Sequence, residues 1–255
     1  MHHSSFSMLT FREKKIHIIL LLIMTLLISS ACPEEEPDKK DDRYYHGDPF
    51  ARNQLLKRSI NLGNALEAPH EGDWGVILQK HFFDSISAEG FTAVRVPIRW
   101  SAHALENPPF TIDPQFLNRV DWVLAQAQQR GLATVINMHH YEELFREPEN
   151  HWMRFLEIWK QLTVHYQLAD TTLFFEVLNE PHDRLTPELW NQLLAEVIDS
   201  IRMIDPVHTL IIGTAEWGGI AAINKLEIPS TEDNVIFTFH YYEPFQFTHQ
   251  GAEWT

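Results

Sequence analysis

The residues with the clearest chemical potential are Asn179 and Glu180, which follow a short apolar run at residues 173–178. The run is rich in aromatic residues, and Pro181 prevents further ladder pairing, so a buried strand is predicted to end on a carboxylate. At the carboxyl end of a parallel strand, Glu180 could donate a proton and Asn179 could orient a substrate. The alternative is a structural role for the pair as the cap of the next helix.

Similar polar or aromatic residues stand at the end of nearly every strand-like run. They are Asn64, Arg95, His139, His140, Asn179, Glu180, Glu216, Trp217, His240 and Tyr242. A closed barrel brings all strand ends to one mouth, whereas an open sheet spreads them along an edge. This distribution favours a barrel with a polar site at its mouth.

Alternating runs along the chain predict the elements that must position these residues. Strands are predicted at 58–63, 92–100, 132–138, 172–178, 209–213 and 235–239, and helices at 76–88, 113–131, 152–166, 187–203 and 220–226. Pro97 is expected to end the regular part of the second strand near Val96, since proline lacks the ladder donor. Asp113-Pro114 and Thr186-Pro187 each combine a cap residue with a first-turn proline.

The fold predicted from this alternation is α/β, a (β/α)8 TIM barrel of which only about the first six β/α units are present. The other arrangement of parallel strands is an open doubly wound sheet. No Gly-x-Gly-x-x-Gly turn follows the first strand. Because that turn is typical of dinucleotide-binding open sheets, its absence also favours the barrel.

Composition limits the classes of ligand. The chain has 255 residues, 44% of them hydrophobic, and 35 acidic residues against 20 basic ones give a formal net charge of -15. Nucleic-acid sites need clustered lysine and arginine, so a nucleic-acid partner is not expected. Eight tryptophans and sixteen phenylalanines are compatible with sugar rings stacking on aromatic faces, although most aromatic residues belong to the core.

The N-terminal segment predicts export. A basic stretch at residues 12–15 precedes an apolar run at 16–28, and small residues then lead to Cys32, the single cysteine. This pattern resembles a bacterial lipoprotein signal, with residues 1–31 as the signal peptide and Cys32 as the lipidated residue. The charged segment 32–43 is expected to be an acidic tether, and the barrel domain is expected from 44 to 255. An ordinary secretory signal with an incidental cysteine is the alternative. The lipoprotein signal would place the exported protein at the cell surface or in the periplasm as a lipid-anchored protein, and the ordinary signal would make it a secreted protein.

Two chemistries suit the polar ring. Paired carboxylates can hydrolyse a glycosidic bond, and His139, His140 and His240 could hold a metal ion that activates water. Adjacent histidines point to opposite faces of a strand, so His139 and His140 are poorly placed to share one metal. We therefore expect neither a metal nor a cofactor, and a hydrogen-bonded structural role is the alternative for each histidine.

The motifs at the strand ends resemble glycoside hydrolase family 5, the cellulase-like retaining β-glycanases. The resemblance runs from about Asp48 to Thr255 and is carried by residues 60–69, 94–100, 136–141, 178–181, 213–219 and 239–245. Residues 247–254 look like the branch whose members cleave β-1,4-glucans and sometimes β-mannans. The resemblance implies hydrolysis of β-linked polysaccharide or oligosaccharide by a monomer.

The resemblance also implies roles for individual residues. Glu180 corresponds to the general acid/base, and Asn179 to the residue that holds the sugar 2-hydroxyl. Arg95 would lie beside the nucleophile and keep it ionised, and Glu176, inside its strand, would need a cation or a donor partner. The residues implied to line the sugar subsites are His139, His140, His240 and Tyr242, with Asn64 and Glu67 on the distal glycone side.

One part of the family pattern lies beyond these motifs. The family nucleophile is a glutamate on the seventh strand, and a substrate-stacking tryptophan follows on the eighth. We therefore expect the 255 residues to be the front part of a longer enzyme or a truncated gene product, with the nucleophile beyond Thr255. The alternative function is that of a non-catalytic carbohydrate-binding surface lipoprotein, or of an inactive truncated product.

Overall fold

Residues 48–252 are described by the structure, a computed structural model, and they form six parallel strands in one sheet. The strand order follows the chain, so each strand pairs with the next one in sequence. The strands are β1 Ser59–Asn61, β2 Ala93–Val96, β3 Ala133–Asn137, β4 Leu173–Glu176, β5 Leu210–Gly213 and β6 Val235–Thr238. This arrangement confirms the predicted partial (β/α)8 barrel, and β2 ends at Val96 immediately before Pro97.

Helices precede, connect and follow the strands. They are α1 Pro49–Leu55, α2 Lys80–Ala88, α3 Pro114–Gln128, α4 Glu142–Arg146, α5 Pro148–Tyr166, α6 Pro187–Arg202 and α7 Phe245–Thr248, with 3-10 helices at Trp100–His103 and Ile220–Lys225. A four-residue segment, Ala215–Gly218, follows β5 and contains two residues with non-helical backbone angles, so it is described below as a turn. The predicted cap at Asp113 is confirmed, because its side chain accepts the N–H of Gln115 at 2.8 Å. Thr186 caps α6 in the same way.

Some predicted helix bounds were wrong. The helix predicted at 76–88 begins at Lys80, because the backbone of Leu78 is bound by other side chains. Its N–H donates to Glu71 Oε1 at 2.8 Å, and its carbonyl accepts from Arg119 Nη2 at 2.6 Å. Arg119 thereby occupies the Leu78 carbonyl, which in a helix starting at Val76 would accept the N–H four residues later, and Glu71 caps the N–H, as at a helix entrance. The helix predicted at 152–166 begins at Pro148, and the element at 220–226 is a 3-10 helix.

Three buried tryptophans fasten the helical layer to the carboxyl ends of the strands. The indole N–H of Trp100 donates to the carbonyl of Asn137 at 3.0 Å. Trp159 on α5 and Trp190 on α6 donate to the carbonyls of Val177 and Gly213 at 2.9 and 3.0 Å. Those carbonyls end or follow β3, β4 and β5, so the part of the sheet that carries the polar residues is fixed against the core.

The predictions for the signal peptide, for Cys32 and for the tether fall on residues 1–43, which lie outside the described part of the chain. Between residues 48 and 252, no helix is long and apolar enough to cross a membrane.

Candidate active site

Arg95 and Glu176 form the base of the site. Arg95 Nε donates to Glu176 Oε2 and Nη2 to Oε1, each at 2.5 Å, and the Glu176 side chain is almost fully buried. The same guanidinium reaches Asn179 Oδ1 at 2.9 Å and Asn61 Oδ1 at 2.9 Å. The expected cation partner of Glu176 is therefore Arg95, and this pair fixes the orientation of the Asn179 side chain.

The charge of Arg95 is stabilised by this pairing. Burial alone would lower the pKa of Arg95, but the charge and hydrogen bonds of Glu176 outweigh it, and the pKa is raised. Asn137 adds a third donor to Glu176, from Nδ2 to Oε1 at 3.3 Å. A buried carboxylate with three donors and a paired cation is a satisfied group, so Glu176 acts as an anchor rather than as a free acid.

His139 is held as a neutral ring beside this anchor. Burial, followed by the charges of Arg95, His140 and His240, lowers the pKa of His139 to about 2. The Asn137 amide nitrogen lies 3.1 Å from His139 Nδ1. Since that nitrogen can only donate, Nδ1 accepts and the ring proton resides on Nε2.

His140 extends the same wall of the site. Its ring stands nearly perpendicular to that of His139, with 4.7 Å between centroids, and is also at a steep angle to the ring of Trp74, with 5.7 Å between centroids. Burial is also the main reason that the pKa of His140 is lowered. Two uncharged imidazoles and an exposed indole thus form a polar and aromatic wall that suits a neutral ligand.

Glu180 stands at the mouth with His240 as its partner. Its Oε1 shares a hydrogen bond with Nδ1 of His240, and the two side chains are 24% and 20% exposed. Glu180 itself has a left-handed backbone, with φ of 48°. The carboxyl group is therefore both reachable from solvent and held in one direction, as a proton donor or acceptor requires.

Tyr242 lies on the far side of His240, with 6.1 Å between ring centroids. Burial, reinforced by the negative charge of Glu180, raises the pKa of Tyr242, so the phenol keeps its proton. The site therefore has a protonated phenol beside His240, the residue that binds Glu180.

Trp217 provides an aromatic face close to Glu180. Its ring stacks on His182 at 3.5 Å and 13°, and His182 packs in turn against Phe145 at 4.1 Å. The backbone N–H of Trp217 donates to the carbonyl of Pro181, the residue after Glu180, at 3.2 Å. More than half of the Trp217 side chain is exposed, so it offers a fixed apolar surface to a ligand.

Glu67 and Asn64 lie at the end of β1. Glu67 is 4% exposed, and its two oxygens accept the backbone N–H groups of Asn64 and of Ala65, the latter at 2.9 Å. Asn64 is exposed and has a φ of 64°. Glu67 thus holds the turn that presents Asn64, and the sugar contacts predicted for both residues stay predictions.

The sequence that forms this site matches a family model. The model for "Cellulase (glycosyl hydrolase family 5)" matches residues 59–255, which include the six strands and the site. The chain belongs to glycoside hydrolase family 5.

Two curated endoglucanases are similar in sequence to most of this chain. Endoglucanase H of Acetivibrio thermocellus is 36% identical over 203 residues, which are 80% of this chain and 22% of that protein. Endoglucanase 3 of Fibrobacter succinogenes is 30% identical over 219 residues, 79% of this chain and 33% of that protein. The chain thus spans between a fifth and a third of the length of these curated relatives.

Solved structures of family 5 have the same fold as this chain. A crystal structure of Thermotoga maritima Cel5A in complex with a mannotriose substrate is 60% identical, with a TM-score of 0.80 over 82% of this chain and 68% of that chain. A structure of the same enzyme with cellobiose has the same identity and TM-score.

The structure adds site residues that sequence reasoning did not name. Asn61 and Asn137 both join the network around Arg95 and Glu176. Asn61 is the last residue of β1, and Asn137 is the last residue of β3. The strand-end rule, by which polar residues at the carboxyl ends of parallel strands meet in one site, could therefore have identified them as well. In residues 48–252, no three His, Cys, Asp or Glu side chains are grouped so that they could hold a metal ion.

Proposed function

We propose that this chain carries the acid/base half of a retaining glycoside hydrolase that cleaves β-1,4-glycosidic bonds in plant-type polysaccharides. The observation that carries the proposal is the arrangement of Glu180. Its carboxyl group is accessible, bound to His240, and adjacent in sequence to an Asn179 that is fixed by Arg95. Family membership supports the same reaction.

In this mechanism Glu180 protonates the glycosidic oxygen of the leaving group. Asn179 holds the 2-hydroxyl of the reacting sugar, a hydrogen bond that strengthens in the oxocarbenium-like transition state. A carboxylate about 5 to 5.5 Å from Glu180 forms the glycosyl-enzyme intermediate, and Glu180 then takes a proton from the attacking water. The family pattern assigns that nucleophile to a seventh strand, which is not among the six strands of residues 48–252.

The proposed substrates are β-glucan, including cellulose, and β-mannan. A relative that is 60% identical has been solved with both mannotriose and cellobiose, which supports acceptance of both sugar types. The wall of His139, His140 and Trp74 carries neutral imidazoles and an indole, and therefore suits uncharged sugar rings better than acidic ones.

We propose further that the protein is exported and anchored through Cys32. The basic stretch, the apolar run and the small residues before Cys32 support a lipoprotein signal. Palmitate labelling tests this: label that is retained in the wild type and lost in Cys32→Ala is the expected result. Equal label in both would contradict the anchor.

The test of the catalytic proposal is Glu180→Gln in the enzyme as its gene encodes it, with Glu149→Gln as an exposed control. We expect turnover of cello-oligosaccharides to fall by several orders of magnitude, about 10³-fold or more, because the leaving group loses its proton donor. Glu149→Gln should match the wild type. A loss below about tenfold, or calorimetric binding of oligosaccharide by the wild type without hydrolysis, would contradict the proposal and favour a non-catalytic binding protein.

A further inference from the structure

The turn at residues 216–218 has an unusual backbone. Glu216 (φ 56°, ψ 53°) and Trp217 (φ 63°, ψ 30°) are left-handed, and Gly218 follows with φ of 69°. Residues with a Cβ rarely adopt this region, and such conformations persist only where the surroundings hold them. Three left-handed residues in succession therefore indicate that this turn is held by specific contacts.

Three contacts close the turn. Lys225 Nζ pairs with Glu216 Oε1 at 2.5 Å, and the N–H of Gly219 donates to the Glu216 carbonyl at 3.2 Å. Below them, the buried Thr214 hydroxyl donates to the carbonyl of Gly219 at 2.9 Å. The turn is thus fastened at both its first residue and its base.

The turn joins the two strand ends that carry Glu180 and His240. The N–H of Trp217 donates to the carbonyl of Pro181, next to Glu180 in the chain, at 3.2 Å. The carbonyl of Gly218 accepts the N–H of His240 at 2.8 Å. Main-chain hydrogen bonds therefore set the spacing between the segment after β4 and the segment after β6.

Gly218 also leaves the space in which the two side chains meet. A Cβ at this position would lie 3.2 Å from His240 Cγ, 3.4 Å from His240 Nδ1 and 3.5 Å from Glu180 Cγ. The imidazole and the carboxyl stem are thus packed directly on the glycine main chain. A side chain here would push His240 away from Glu180, because the imidazole lies tightly against the position of the Cβ.

We infer that the turn at residues 216–218 is the positioning element of the acid/base: it holds Glu180 and His240 in hydrogen-bond contact, and Gly218 is its key positioning residue. The inference rests on the proposed function of Glu180. Its structural content, the dependence of the His240–Glu180 contact on Gly218, is measurable without any turnover.

The experiment compares Gly218→Ala with Gly131→Ala. Gly131 has the same φ of 69°, but a Cβ there meets nothing within 4 Å, so both variants carry the same backbone strain and only one disturbs the site. The readout is the Nδ1 signal of His240 in NMR spectra of protein with ¹⁵N-labelled histidine, assigned through His240→Gln. We expect Gly218→Ala to lose the bonded Nδ1 signal and Gly131→Ala to keep it.

A second pair of variants covers the case in which Gly218→Ala does not fold. Thr214→Val keeps the shape of the side chain and removes the hydrogen bond at the base of the turn. Thr163→Val on α5 is its control, since it removes a buried hydroxyl bond of 2.8 Å to the Trp159 carbonyl, on an outer helix. We expect the His240 signal to shift in Thr214→Val and to stay unchanged in Thr163→Val.

An unchanged His240 signal in Thr214→Val, or in a folded Gly218→Ala, would overturn the inference. In the active enzyme, Gly218→Ala should lower kcat by about a hundredfold with KM nearly unchanged, because a misplacement of about 1 Å has this effect on a catalytic group. The two proposals can fail separately. If Glu180→Gln keeps its activity, the proposed function is wrong, whereas the NMR comparison still decides whether the turn holds the contact.

Discussion

Arg95 binds Glu176 through two hydrogen bonds of 2.5 Å although the two residues belong to strands that are not neighbours in the sheet. Arg95 lies on β2 and Glu176 on β4, and β3 runs between them. The ion pair therefore crosses the interior of the partial barrel. Because the same guanidinium also holds Asn179, the anchor of the strands and the orientation of the Asn179 amide, the proposed contact of the sugar 2-hydroxyl, depend on one side chain.

Removal of the charge of Glu176 should strongly destabilise the protein. Glu176→Gln leaves the guanidinium of Arg95 without its counter-charge, which typically costs about 3–5 kcal/mol for a buried pair. The control is Glu157→Gln, whose partner Lys160 lies 3.7 Å away on the surface and whose loss should cost less than about 1 kcal/mol. Urea unfolding at pH 7 measures both variants. Equal losses of unfolding free energy would contradict the role of Glu176 as an anchor.

Stability should fall below neutral pH because of His139. The pKa of His139 is about 2 in the folded protein, whereas that of an unfolded histidine is about 6.5. Between these values the unfolded chain binds a proton that the folded protein does not. The free energy of unfolding is therefore unaffected by protonation of His139 above about pH 6.5 and decreases as the pH falls below it. His139→Asn should reduce the loss between pH 7.5 and pH 5 by about 2 kcal/mol. The exposed His81→Asn should leave the wild-type pH profile of urea unfolding unchanged.

Trp217 should contribute to oligosaccharide affinity. Trp217→Ala removes the exposed ring, which stacks on His182 with one face. We expect the lost aromatic contact with the ligand to cost about 0.5–1.5 kcal/mol of binding free energy, which is up to about tenfold in Kd. Phe50→Ala is a matched control, since Phe50 is an exposed aromatic residue on α1, which precedes β1 and lies away from the strand ends of the site. Calorimetric titration with cello-oligosaccharide measures both, and an equal Kd for Trp217→Ala and the wild type would remove Trp217 from the site.

Substitutions of Glu67 and of Asn64 should differ in their effects on stability, although both should weaken ligand binding. Glu67→Ala leaves two backbone N–H groups without their acceptor, and we expect a loss of stability of about 1–3 kcal/mol together with weaker binding. Asn64→Gly should weaken binding and leave the free energy of unfolding within about 0.5 kcal/mol of the wild type, because the side chain is exposed and glycine adopts the left-handed backbone at φ of 64° without strain. Thermal unfolding and titration of the same samples check this, and a destabilised Asn64→Gly would contradict it.

The sequence predicted the start of a helix correctly where interactions within a single helical turn decide it. Asp113-Pro114 and Thr186-Pro187 start their helices as expected, because cap and proline geometry act within one turn. The start of α2 was predicted four residues early. There, Glu71 and Arg119 bind the backbone of Leu78, and such distant partners leave no local pattern.

The strand-end rule predicted most of the site in the same way. Residues at the carboxyl ends of parallel strands meet because the sheet curves, and this depends only on strand order. The rule placed Glu180, Asn179, Arg95 and His240 together, and the hydrogen bonds between them agree. The partners within the site, such as Arg95 with Glu176, needed the strand register and the twist of the sheet.

The sequence by itself determined the fold class and the acid/base candidate, since these follow from periodicity, strand ends and residue type, and its motifs carried the resemblance to the family. Only the tertiary structure decided how Glu180 is held. The left-handed conformations of Glu216 and Trp217 are intrinsically unfavourable, so no local preference predicts them. They exist because two hydrogen bonds meet at one turn: the Trp217 N–H donates to the carbonyl of Pro181, and the Gly218 carbonyl accepts the N–H of His240. Pro181 and His240 are far apart in the chain, so these contacts form only when the strands have assembled.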